Sequence, residues 1–75
     1  MSYVVQTGGY YHCPEFRDLG EARTLLKEIV ADALVAARRK SPEATRRKLC
    51  TDSYEITLGR SCRSALWNRY HIIQT

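Results

Sequence analysis

Between Asp18 and Lys40 the apolar residues recur at steps of three and four: Ala22, Leu25, Leu26, Ile29, Val30, Ala33, Leu34 and Ala37. On a helical repeat these positions form one stripe, so the spacing predicts an amphipathic helix of about 20 residues that needs a partner along one face only. Asp18 can accept hydrogen bonds from the first-turn amides, with Glu21 three residues later in a capping-box arrangement. Arg38, Arg39 and Lys40 meet the negative end of the helix dipole. A lone stripe of this kind must be covered by another layer.

The flanking segments supply candidates for that layer. Tyr3-Val4-Val5-Gln6-Thr7 is β-branched and aromatic, and Gly8-Gly9 can make a tight hairpin turn that pairs Gln6 with Tyr11. Pro14 lacks a backbone N–H and restricts the returning strand to a short edge piece. After the helix, Ser41-Pro42-Glu43 reads as a restart, because Ser41 can cap and Pro42 suits a first helical position. A second short helix is therefore expected over residues 44–49, followed by a turn at Thr51-Asp52-Ser53. The period then changes to two: Tyr54, Ile56 and Leu58 alternate with Glu55 and Thr57 as a half-buried strand. A polar loop over residues 59–64 leads to a longer strand over residues 65–73.

The expected fold is a single α+β domain spanning residues 1–75, a small two-layer sandwich in the order β-(β)-α-(α)-β-β. One long amphipathic helix, with a short second helix, packs on a three- to four-stranded antiparallel sheet whose other face is left in water. A chain of 75 residues and one modest core leaves no room for two lobes around a deep cleft.

On the last strand, Leu66, Asn68, Tyr70 and Ile72 form the more apolar face and are assigned to the helix. Trp67, Arg69 and His71 then occupy the open face, joined by Glu55, Thr57 and Tyr11, with Arg60 and Arg63 in the adjoining loop. A Trp interleaved with Arg and His can stack on bases and attract phosphate, or anchor a protein interface.

Charge separates along the chain. Residues 1–37 carry three bases and five acids, whereas residues 38–75 carry nine bases and three acids. Six of those bases, Arg38, Arg39, Lys40, Arg46, Arg47 and Lys48, fall within eleven residues, offset by Glu43 alone. They form a second basic patch suited to a phosphate backbone.

Other chemistry is thinly represented. His12, Cys13, Cys50, Cys62 and His71 offer metal-ligand types, but there is no Cys-x-x-Cys or His-x-x-x-His spacing, and no metal or other cofactor is expected. A Cys–His nucleophile pair drawn from these residues lacks an accompanying oxyanion site, so no enzyme is expected. Three cysteines are an odd number for a disulfide scaffold, the opening residues lack the pattern of a secretory signal, and the longest apolar run is five residues. These features lead to the expectation of a cytoplasmic protein with free thiols.

The Tyr3-Val4-Val5 opening strand, the Phe16-x-Asp18-Leu19-x-Glu21-Ala22 helix entry and the closing strands around Trp67 resemble small phage-encoded α+β proteins. Among these are anti-CRISPR inhibitors of multisubunit surveillance complexes. The resemblance implies a small inhibitor that binds a CRISPR-Cas subunit, or the guide-RNA complex, in the host cytoplasm and blocks or misdirects DNA binding. Many such inhibitors are acidic DNA mimics, and this chain departs from that pattern by being basic. The alternatives are a small basic DNA- or RNA-binding accessory protein and a dimeric structural phage protein.

Overall fold

The computed structural model describes residues 2–8, 10–59 and 66–75. The elements follow the order β1 (Tyr3–Thr7), β2 (Tyr10–Phe16), α1 (Leu19–Lys40), β3 (Thr45–Cys50), β4 (Ser53–Thr57) and β5 (Leu66–Gln74). The strands form one antiparallel sheet in the order β2-β1-β5-β4-β3, and α1 crosses one face of it in contact with all five. The two-layer α+β class is as the sequence predicts; among the described residues the strand count is five rather than three or four.

Helix α1 starts where the sequence places it. Asp18 is extended and its Oδ1 accepts from the Gly20 amide at 3.1 Å. At the other end, the Ser41 amide donates to the Ala37 carbonyl and Pro42 closes the helix. Ala22, Leu26, Val30 and Ala37 are buried, the last three in one cluster with Val5, Tyr54, Ile56 and Tyr70 from three strands. Among the described residues, those that are buried are all apolar or aromatic, so burial of that shared surface is what holds the layers together.

Three corrections to the sequence reading follow from pairing. Residues 44–49 do not form a second helix: the Ala44 amide turns back to the Ser41 carbonyl, and residues from Thr45 onward run as β3 against β4. The segment TRRKLC carries no apolar stripe for a helix to bury, whereas the free backbone edge of β4 is satisfied by a paired strand. Ala44, 1% exposed, anchors the turn in the core.

β2 also extends beyond Pro14 to Phe16. It does so as the edge strand that a proline tolerates, with Tyr3↔Phe16 and Val5↔His12 leaving one residue of β1 opposite three of β2. The Gln6↔Tyr11 pairing is as expected. Gly8 has φ +59, a left-handed value that favours glycine, and a Cβ there would meet Asn68 Oδ1 at 3.3 Å.

The third correction concerns β5. Asn68 pairs with Ile56 and Leu66 with Thr57, so Trp67 is an extra residue at a bulge. Leu66, assigned to the helix face, pairs with Thr57 and is largely exposed. Trp67, assigned to the open face, instead packs partly buried against the core, with the Lys40 ammonium 5.8 Å from its ring centroid. A bulge re-aims a side chain in this way because two residues oppose one, which breaks the strict alternation.

Candidate nucleic-acid interface

The register divides the sequence-predicted site residues between two surfaces. Tyr11, Arg69 and His71 share the open face, in the rows Tyr11–Gln6–His71 and Arg69–Glu55–Arg47 set by strand pairing. Two of the three have partners there. Arg69 Nε donates to Glu55 Oε2 at 3.1 Å, and His71 Nε2 lies 2.6 Å from Gln6 Oε1. The Glu55 side chain is only 14% exposed, so its carboxylate is screened by the arginine that covers it. Tyr11 is 61% exposed at the β2 end of that face. Arg60 and Arg63 lie outside the described residues.

The second basic patch changes form. Arg38, Arg39 and Lys40 end α1, whereas Arg46, Arg47 and Lys48 lie in β3, every residue of which is exposed. Strand alternation sends Arg46 and Lys48 to the helix side, opposite Ile56 and Tyr54, and Arg47 to the open side, opposite Glu55. One edge of the sheet is therefore basic on both faces. Arg46 holds its guanidinium 5.7 Å from the Tyr54 ring centroid, a placement that orients the charge without neutralising it.

Two further bases that the sequence reading did not single out, Arg23 and Lys27, lie beside this edge. Arg23 pairs with Asp52 in the β3–β4 turn at 2.6 Å, and Arg38 donates to the Ala44 carbonyl at 3.2 Å. These two contacts fix the flank of α1 that faces β3. Lys27, one turn beyond Arg23, lies on that same flank, as does the partly buried Leu34. The Asp52 hydrogen bond raises the Arg23 guanidinium above its ordinary pKa. Among the described residues the ion pairs are Arg23–Asp52 and Arg69–Glu55, so Lys27, Arg46, Arg47 and Lys48 carry charge with no acidic partner. The signal that could have found this surface was the run of three successive bases at residues 46–48, which a strand distributes over both faces of the sheet.

Across the molecule, burial pushes the Tyr70 phenol above its usual range, opposed by a hydrogen bond with Trp67. Among the described residues, no group of three His, Cys, Asp or Glu side chains is gathered closely enough to hold a metal ion. Among the described residues, no helix is long and apolar enough to cross a membrane. No protein-family model matches the chain, and neither a curated protein nor a solved structure is significantly similar to it.

Proposed function

We propose that this protein is a non-enzymatic binding module that holds a nucleic-acid backbone along its β3 edge. The observation that carries the reading is the fully exposed strand with Arg46, Arg47 and Lys48 in succession, flanked by Lys27 and Arg38 of α1. Cations displayed on both sides of one edge can contact successive phosphates, and the release of condensed counterions then drives association. The aromatic rings on this side, Tyr54 and Trp67, are packed on the core with Arg46 and Lys40 over them. Recognition there rests on phosphates rather than on stacked bases.

The resemblance to CRISPR-complex inhibitors fits within this reading, since such a complex presents both guide RNA and target DNA. A basic inhibitor would act by holding that nucleic acid out of place. The Trp67-anchored form of the idea gives way to one centred on β3, because Trp67 is packed under Lys40.

The test is binding of duplex and single-stranded nucleic acid across a salt series from about 50 to 300 mM. Affinity of about micromolar or tighter is expected, falling steeply with salt. The variant Arg46→Ala/Arg47→Ala/Lys48→Ala should bind more weakly and with a shallower slope. Absence of binding at the lowest salt, or an unchanged slope in the variant, would overturn the proposal.

A further inference from the structure

The flank of α1 that faces β2 has the opposite character to the flank that faces β3. Glu21 and Glu28, two turns apart, border a groove of about 420 Å³ completed by Phe16 of β2 with Leu25 and Thr24 of α1. The Thr24 hydroxyl is occupied by the Gly20 carbonyl at 3.0 Å, so the groove offers an apolar floor and two carboxylates. Asp32, one turn beyond Glu28, extends the acidic flank. Because β2 and β3 are the two edges of the sheet, the molecule carries an acidic groove at one side and a basic strand at the other.

From this polarity we infer that the groove is a docking site for a second copy of this chain, which inserts Arg46 and Lys48 of its β3 between Glu21 and Glu28. Three observations commit the site to that occupant. Arg46 and Lys48 project on the helix side of the sheet, the side on which the groove lies, so a copy displaced sideways in the same orientation brings the two together. The alternative self-contacts are repulsive, since β3 on β3 opposes bases and groove on groove opposes carboxylates. The long stems of Arg and Lys also suit a floor made by Phe16 and Leu25.

The contact is one of side chains rather than an extended strand ladder. Pro14 has no backbone N–H to offer along the β2 edge, and the irregular β1–β2 register bends that strand. Such an interface is heterologous: each copy uses one edge to give and the other to receive, so association continues beyond two unless the rotation closes a ring. It also occupies the strand assigned above to nucleic acid, so the two uses exclude one another. The inference itself does not depend on nucleic acid being the ligand.

Sedimentation velocity in the absence of nucleic acid tests the idea. At about 50 mM salt, where charges are weakly screened, the wild-type protein should form a concentration-dependent series that reverts to monomer at about 500 mM. The groove variant Glu21→Gln/Glu28→Gln and the strand variant Arg46→Ala/Lys48→Ala should each remain monomeric, with unchanged melting curves, because all four side chains are exposed. Mixed together, they retain one competent groove and one competent strand and should form 1:1 pairs and nothing larger. Glu28→Lys alone provides a second groove variant with the same expected loss.

A wild-type monomer at low salt up to about 1 mM, where even a contact of millimolar affinity is populated, would overturn the proposal. So would association that survives in the groove variant, or a mixture without pairs. The groove variant should keep full nucleic-acid affinity, which separates failure of this interface from failure of the β3 reading.

Discussion

Strands β1 and β3 belong to one sheet and have nearly the same length, yet they serve different ends. β1 lies second from one edge, paired on both sides, and its Val4 and Val5 are 4% and 0% exposed. β3 is paired on one side only and buries none of its six residues. The first strand is specified by apolar surface, and the second is held by its ladder to β4 and by Ala44 at its root. A strand that contributes little to the core is free to carry charge, and charge on an edge also discourages unwanted strand addition.

This contrast can be broken most forcefully from the core. Leu26→Ala leaves a cavity beneath the sheet centre and should lower the unfolding free energy by about 2–5 kcal/mol in urea titration. A loss below about 1 kcal/mol would mean that the site collapses freely and that the helix-to-sheet contact is loosely packed. The triple alanine variant in β3 should show the reverse pattern. Its stability should move by no more than about 0.5 kcal/mol, while the salt slope falls by about 2.7 if each side chain contacts one phosphate. Equal damage to stability and binding would end the distinction between the two strands.

Smaller effects sharpen the same contrast. Asp18→Ala removes the acceptor for the Gly20 amide and should cost about 1 kcal/mol without altering nucleic-acid affinity. Tyr70 offers a test by pH. Its pKa is raised by folding, so the stabilisation it carries is complete below the unfolded tyrosine value of about 10 and fades as pH climbs beyond it. Thermal melts of the wild type should therefore fall on that alkaline limb, and Tyr70→Phe should flatten the fall. Arg69→Ala is expected to do least: its pair with Glu55 is 63% exposed on the arginine side, and a stability change above about 0.5 kcal/mol would show that the open face has a structural role.

What could be read from the sequence was what neighbouring residues decide together. The α1 stripe, the Asp18 cap, the Gln6↔Tyr11 register and the period of two at Tyr54–Ile56 depend on residues close in the chain. β3 did not announce itself, because Pro42 and Glu43 satisfy the local signature of a helix start, while the unpaired edge of β4 that captures the segment follows later in the sequence. The facing of Trp67 was hidden for a related reason. Alternation is a rule for an unbroken ladder, and the one-residue shift between Ile56 and Thr57 is a property of two strands together. The proposed interface followed the same division: its bases were visible as a run, but their distribution over an edge with two basic sides required β3 to be a strand.

The pairing of β1 with β5 joins residues 3–7 to residues 70–74, and the backbone of Ser2 is hydrogen-bonded to that of Thr75. Every other strand pair in the sheet is between sequence neighbours. In kinetic terms, the β1–β2 hairpin and the β3–β4–β5 meander can each nucleate locally, whereas the seam between them must close a loop of more than sixty residues. We expect the seam to form late, so that truncations at Val5 or Ile72 accelerate unfolding while leaving the folding rate nearly unchanged. Slowed folding in stopped-flow measurements on those variants would instead place the seam in the nucleus. With a late seam, the lifetime of the native state is governed by the five residue pairs that bring the two ends of the described chain together.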